Sequence, residues 1–253
     1  MPSSRAGTEL HFHALPGVDD GPQTLEESVD LLRLAVADGT ATVVATPHVR
    51  GDFLTDVTQV ADGVRELRGA LASAGVVIEL RPGAELGHDM VGRLSQSELD
   101  TVAQGPPGAR WLLVEAPFEV IGETFHAATD ELRDRGFSVV VAHPERSADA
   151  ALDGSAGLRR ELAAGSLAQV NAQSICGAHG PDAHRAALAL IGEGLISVVS
   201  SDAHGASRPP LLSQTRARLV EEGVDPRLGA ALTGERPPRL LHRGIIPRAA
   251  LVA

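Results

Sequence analysis

The stretch LHFHALPGVDDG, residues 10 to 21, sets His11 and His13 one residue apart and follows them with Asp19 and Asp20. Similar residues recur at the ends of short apolar runs: His48 in VVATPH, Glu85 in RPGAEL, Glu115 in WLLVEAP, His143 in VVVAHPER, and Asp202 with His204 in VVSSDAH. Neutral imidazoles mixed with carboxylates are ligands for borderline or hard divalent ions such as zinc, manganese and iron. The set is richer than one ion uses, so two or three ions are expected. Taken singly, each residue has an ordinary use: a lone histidine is more often a surface or hydrogen-bonded group, and DDGP is a turn signal. Chance does not place so many at equivalent points of a repeat. His88, His126, His179, His184 and His242 fall on helices or loops away from strand ends and are read as ordinary surface or hydrogen-bonded side chains.

The elements that must position these residues form a repeated unit, an amphipathic helix ending at glycine and then a short β-branched run. It appears in ADGTATVVAT, ASAGVVIEL, RDRGFSVVVAHP, LAAGSLAQVN and IGEGLISVVSSD. With GARWLLVEA added, the glycines before the strands are Gly39, Gly75, Gly108, Gly136, Gly165 and Gly194, a spacing that suits one βα unit each. Thr24 and Glu27 read as the capping box of one helix, and Val57, Val60, Val64, Leu67 and Leu71 line a face of the next. With an opening strand near Glu9 to Phe12, about seven strands alternate with helices, and no linker divides residues 1–253. The expectation is a single α/β domain, an irregular barrel of about seven βα units. An open doubly wound sheet gives much the same periodicity. A barrel gathers the carboxyl ends of all its strands on one face, whereas an open sheet gathers only those near its switch point.

Composition excludes several chemistries. All 22 basic residues are arginine against 33 acidic ones, and the net charge of -11 argues against a protein that grips nucleic acid by its phosphates. Without lysine there is no Schiff-base nucleophile and no phosphate-loop lysine. Cys176 is the single cysteine, and position 182, where a thiolate phosphatase would need arginine, is aspartate. Ser155 in DGSAG has aspartate where a serine hydrolase elbow needs its first glycine. No apolar run approaches the ~18 residues of a membrane span, and MPSSRAGTEL lacks the apolar stretch of a secretory signal, so a cytoplasmic protein is expected.

The ordered segments LHFHALPGVDDGPQTLEES, VVATPH, RPGAEL, LLVEAPF, VVVAHPER, QVNAQS and SSDAHGASRPP resemble the polymerase and histidinol phosphatase (PHP) superfamily. The similarity runs from about Glu9 to Leu241 and is greatest to the capsule-type bacterial tyrosine phosphatase branch. The resemblance implies a distorted seven-stranded β/α (TIM-like) barrel with a trinuclear metal site. Carried over by position, it implies one metal held by His11, His13, Glu85 and Asp202, a second by Glu85, Glu115 and His143, and a third by Asp20, His48 and His204. Glu85 would bridge the first two. Spacing favours Asp20 over Asp19 as the ligand, leaving Asp19 to hold the loop or orient a histidine. The departures, TPHV after the second strand and a longer polar start before His11, remove no ligand.

Clustered divalent ions lower the pKa of a bound water to near neutrality and clamp phosphoryl oxygens, which favours hydrolysis of phosphate esters. Arg146 in HPER and Arg208 in ASRPP follow closely after ligand residues and are the candidate catalytic clamps for nonbridging oxygens, with a salt bridge at the barrel rim as the alternative. Gln169, Asn171 and Ser174 offer hydrogen bonds to the site or its loop rather than metal ligation.

The branch resemblance implies a manganese-dependent protein tyrosine phosphatase, with iron, zinc or magnesium as alternative ions. It implies as partner the phosphotyrosine tail of a bacterial kinase that controls polysaccharide export. The competing reading is a histidinol phosphate or other small-molecule phosphatase of the same fold. A nucleic-acid phosphodiesterase fits the charge poorly, and a scaffold without catalysis would lack a ligand or a clamp. The proline-rich end GERPPRLLHRGIIPRAALVA packs on the barrel or on a neighbouring copy, the latter giving a homo-oligomer.

Overall fold

Thr24 starts the helix Leu25–Ala37: its hydroxyl accepts from the Glu27 N–H at 3.2 Å, and the Glu27 carboxylate accepts from the Thr24 N–H at 3.3 Å. The reciprocal cap satisfies two helix-end donors. Thr24→Ala is expected to lower stability by about 1 kcal/mol, read as a fall in the urea midpoint with unchanged slope; an unchanged midpoint would show that the cap contributes nothing. The next helix, Thr58–Ser73, buries Val60, Val64, Leu67 and Leu71 along one stripe, each leucine stabilising by roughly 1.5–3 kcal/mol relative to exposure.

The computed structural model describes residues 7–152 and 155–246. Among the described residues the strands are β1 (Gly7–Glu9), β2 (Thr40–Ala45), β3 (His48–Val49), β4 (Glu79–Pro82), β5 (Glu85–Leu86), β6 (Trp111–Glu115), β7 (Ser138–Ala142), β8 (Leu167–Asn171) and β9 (Val198–Ser200). All pair in parallel, in one sheet of order β1-β2-β4 and another of order β3-β5-β6-β7-β8-β9. The fold is therefore α/β with two parallel sheets, and these are not closed into the seven-stranded barrel that the sequence led us to expect.

The interruptions have local causes. The β2–β4 ladder ends at Ala45↔Pro82 and pairing resumes at His48↔Glu85 between β3 and β5. Between them lie Pro47, which has no N–H to donate, and Gly83, where a Cβ would come within 2.5 Å of Val44 Cγ1. At the other edge, Leu10 N–H donates to Ser200 Oγ at 3.3 Å and Phe12 N–H to Thr46 Oγ1 at 2.8 Å. These hydroxyls take donors that a continued ladder would use, so the opening strand ends at Glu9 rather than reaching Phe12. An isolated parallel bridge, Phe12↔Ala203, connects this segment to the chain after β9.

Most sheet strands are buried on both faces, as parallel strands covered by helices are. Leu112, Val114, Val139 and Val141 join the larger apolar cluster, whereas Trp111, Leu113, Val140 and Ala142 join a smaller one with Leu240 and Leu241. The alternation defines an inner face. The helix Arg236–Arg243 buries Leu240 and Leu241, and Leu240 O accepts from Trp111 Nε1 at 3.3 Å. This part of the proline-rich end packs on the sheet, while residues 247–253 lie outside the described residues.

Helix exits set the strand starts. After the helix Glu123–Asp134, Gly136 adopts φ 86° while the Phe137 N–H returns to Leu132 O at 2.9 Å, a left-handed stop that only glycine adopts without cost. Among the described residues no helix is long and apolar enough to cross a membrane.

Candidate metal centre

The carboxyl ends of the strands bring the singled-out residues together. His11 and His13 share a face two residues apart, and the segment is fastened to the chain after β9 by Asp202 N–H to His11 O at 3.1 Å and His13 N–H to Ala203 O at 2.9 Å. The same two bonds carry Asp202 and His204 to the first histidines. Glu85 opens β5 directly beside His48, which opens β3. Glu115 ends β6, and His143 follows β7.

Simple alternation would send His143 outward with Val139 and Val141. Its φ of 36° breaks that alternation, and its Nε2 lies 2.7 Å from Glu85 Oε1. Asp202 is also left-handed, with φ 52°. Such conformations cost non-glycine residues about 1–3 kcal/mol and are held where the surroundings over-determine them.

Among the described residues three groups of ligand-capable atoms converge, each within 4.8 Å: His11, His13, Glu85 and Asp202; His13, Asp20, His48 and His204; and His48, Glu85 and Glu115. In the first, Glu85 Oε2 lies 3.1 Å from His11 Nε2 and 3.3 Å from His13 Nε2, and Asp202 Oδ1 lies 3.2 and 3.3 Å from the same two nitrogens. The two nitrogens are 3.3 Å apart. Nitrogen and oxygen atoms 3.1–3.3 Å apart are spaced as the ligands of one divalent ion would be.

Hydrogen bonds around the group decide where its protons sit. The Asp202 carboxylate only accepts, so Asn171 donates Nδ2 to its Oδ2 at 2.6 Å; Asn171 Oδ1 then accepts from Gln169 Nε2 at 2.8 Å. Gln169 is left with Oε1 toward His11 Nδ1 at 3.0 Å, which must be the protonated nitrogen. His13 Nδ1 donates to Asp19 Oδ2 at 2.7 Å, and His204 Nδ1 donates to the Asp202 carbonyl at 2.9 Å. In its neutral form each ring therefore turns an Nε2 lone pair toward carboxylate oxygens. Glu85 Oε2, Asp202 Oδ1 and His204 Nε2 are buried without a hydrogen-bond partner. Convergent lone pairs of this kind are satisfied by a cation, and the donor set fits divalent ions.

Electrostatics show how strongly the carboxylates draw positive charge to these rings, which hold a proton where no cation takes its place. Burial opposes charge on His11, yet Glu85 and Asp202 raise its pKa; His13, held also by Asp19, rises well above the ordinary histidine value. Burial is likewise outweighed at Glu85 by His11, His48 and His143, and at Asp202 by His11 and His13, so both carboxyls lie well below the usual range.

Asp19 and Asp20 divide their roles. Asp19 accepts from His13, from Gly21 N–H at 2.9 Å and from His48 N–H at 2.9 Å, so it holds a ring and the loop. Asp20 points its Oδ1 to His204 Nε2 at 3.1 Å and to His48 Nε2 at 3.5 Å. His143 contacts Glu85 but stands outside the three groups, and His48 is the histidine beside Glu85 and Glu115.

Arg208 and Arg146 line the cavity of about 210 Å³ at this centre. Arg208 Nη2 donates to Asp202 Oδ2 at 2.7 Å, and Arg146 Nη1 stands 3.6 Å from the same oxygen. Sequence reasoning missed a third arginine in the cavity, Arg50, whose Nη1 donates to Glu115 Oε2 at 2.7 Å. Its signal was its place two residues after His48.

It also missed Glu9, buried two residues before His11. Burial pushes its carboxyl up to about 8, and its Oε2 accepts from Ser201 N–H at 2.9 Å. Among the histidines set aside, His126 is buried against Glu161 at 2.6 Å and His184 contacts Ile175 O at 2.9 Å. His179 is hydrogen-bonded, to Ser174 at 2.9 Å, but it shares a groove with Arg146; burial, Arg146 and Arg208 hold its pKa down at about 4.

Comparison with known proteins bears on what such a centre does. The family model described as capsular polysaccharide synthesis, CpsB/CapC, matches residues 8–242. The chain is 26% identical over 226 residues to the tyrosine-protein phosphatase YwqE of Bacillus subtilis, covering 89% of this chain and 88% of that protein. It is 27% identical over 215 residues to the tyrosine-protein phosphatase CpsB of Streptococcus pneumoniae, covering 81% and 86%. Among solved structures, one from work on YwqE and CpsB, there called unique metal-dependent tyrosine phosphatases, superposes with a TM-score of 0.78 at 25% identity over 92% of this chain and 93% of that one. A phosphotriesterase homology protein from Escherichia coli shares the fold, with a TM-score of 0.61 at 15% identity over 94% and 99% of the two chains.

Proposed function

The chain belongs to the CpsB/CapC family, and from that premise we propose that it is a manganese-dependent protein tyrosine phosphatase acting at the histidine–carboxylate centre. The observation that carries the reading is the convergence of Nε2 lone pairs from His11 and His13 on Glu85 Oε2 and Asp202 Oδ1, with both ring Nδ1 atoms already committed as donors. In this reading His11, His13, Glu85 and Asp202 hold one ion, Asp20, His48 and His204 another, and Glu85 with Glu115 and His143 a third. The His48 position beside Glu85 and Glu115 supports adding it to the last group.

Divalent ions held there supply Lewis acidity, which activates water and polarises phosphoryl oxygens. The chain's own part is orientation and charge. Asp19 and Gln169 fix the rings of His13 and His11, and outer contacts of this kind typically matter 10- to 100-fold in metal affinity. Arg208 and Arg146 direct guanidinium groups into the cavity, where they bind the nonbridging oxygens of a phosphate monoester. The substrate in this reading is the phosphotyrosine tail of a bacterial kinase controlling polysaccharide export.

The test is phosphate release from a phosphotyrosine peptide and from histidinol phosphate, side by side, by protein stripped with chelator and then reloaded with manganese. Release is expected only after reloading, with the peptide favoured at least about tenfold, near 1.4 kcal/mol in barrier. Preference for histidinol phosphate would move the assignment to a small-molecule phosphatase. Hydrolysis of neither by metal-loaded protein would overturn it.

A further inference from the structure

Of the five phenylalanines, Phe12, Phe125 and Phe137 are buried, while Phe53 and Phe118 remain 37% and 46% exposed. The two exposed rings both line the cavity that contains the metal centre. Phe53 lies nearly parallel to the ring of His48, 5.2 Å between centroids and 14° between planes; Phe118 lies likewise on His143, at 6.2 Å and 11°. Each also carries a guanidinium: Arg50 Cζ is 5.2 Å from the Phe53 centroid, and Arg146 Cζ is 4.7 Å from that of Phe118. Both are thus braced by one proposed ligand and one arginine while leaving apolar surface open to the cavity.

We propose that Phe53 and Phe118 are specificity-determining residues that grip the aromatic ring of an aryl phosphate while its phosphate reaches the centre. The proposal rests on reading the centre as a phosphatase and adds how it tells aryl from alkyl esters. Phe53 follows β3 and Phe118 follows β6, the two strands on either side of β5. Strands two apart are separated by roughly 10 Å, and a ring seated between two others needs about 7–8 Å between their planes. In an aryl ester the ring begins at the ester oxygen, beside the phosphate. A seryl or threonyl ester puts only an sp³ carbon there, which forms no aromatic contact.

The experiment uses metal-loaded protein and two nonhydrolysable probes, phenylphosphonate and methylphosphonate, with affinities measured by calorimetry. Wild type is expected to prefer phenylphosphonate. The double variant Phe53→Ala/Phe118→Ala should lose about tenfold or more in phenylphosphonate affinity while binding methylphosphonate within about twofold of wild type. Phe53→Tyr/Phe118→Tyr, which keeps both rings, should retain the preference. Equal weakening of both probes in the alanine variant would show that the rings only brace His48 and His143, overturning the proposal. Unchanged binding of both would overturn it as well. Wild-type protein that binds neither probe would overturn the phosphatase reading, and the grip with it.

Discussion

Replacing Glu85 with glutamine should weaken divalent-metal binding at least about a hundredfold and lower phosphate release by about a thousandfold, near 4 kcal/mol of transition-state stabilisation. No other proposed ligand touches as many rings. Its Oε2 lies 3.1 Å from His11 Nε2, 3.3 Å from His13 Nε2 and 3.0 Å from His48 Nδ1, and its Oε1 lies 2.7 Å from His143 Nε2. Glutamine keeps the shape but replaces one acceptor oxygen with an NH₂ and removes the negative charge. Metal analysis after dialysis, beside phosphate release and far-ultraviolet circular dichroism, separates loss of ions from loss of fold. A folded variant retaining its full metal content and activity would remove Glu85 from the centre.

Arg208→Ala should lower kcat/KM for a phosphotyrosine peptide about a hundredfold while leaving metal content unchanged, as expected for loss of charged hydrogen bonds to phosphate worth about 1.5–3 kcal/mol. The competing role, holding Asp202 in place, predicts metal loss instead. Two observations favour the clamp. Asp202 Oδ2 already accepts from Asn171 Nδ2 at 2.6 Å, so the carboxylate keeps a fixed partner without the arginine. Arg208 lines the cavity, and its Nη1 stands 3.6 Å from Asp20 Oδ2, beyond hydrogen-bond length, which leaves it a donor for a substrate oxygen. Arg146, standing 3.6 Å from the same oxygen with its guanidinium over Phe118, should show a smaller fall when replaced by alanine. Metal loss from Arg208→Ala in proportion to activity would assign the residue to support.

Much of the centre was legible because parallel strands end on a common side, so the residue after each apolar run was bound to meet its counterparts. His11, His13, His48, Glu85, Asp202 and His204 all follow that logic. Arg50 escaped it because it stands beyond its strand in a segment without periodicity, and its importance lies in a contact with Glu115, 65 residues away. Phe53 and Phe118 escaped because an aromatic residue in a loop looks the same whether it faces solvent or a cavity. The capping box at Thr24 and the face of Val60, Val64, Leu67 and Leu71 were local and therefore readable.

Closure of the sheet was not readable, since strand periodicity is blind to what happens at edges. Pro47 was visible, but the hydroxyls of Thr46 and Ser200 that take the Phe12 and Leu10 donors come from segments distant in sequence. The pair Asp19 and Asp20 shows the same limit at smaller scale. Neighbours in sequence, they part company because one carboxylate turns back to His13 and its own loop while the other faces His204.

The run from Asp202 through Asn171 and Gln169 to His11 has a polarity. Because its far end is a carboxylate, every amide along it can point only one way, and the tautomer of a ring three side chains distant is written there rather than at the ring. Two amides that offer nothing to an ion thus carry the instruction that turns the His11 Nε2 toward Glu85 and Asp202. The same Asp202 turns its other oxygen to the Nε2 atoms of His11 and His13, so a single side chain both faces these rings and is the reference from which one of them takes its orientation.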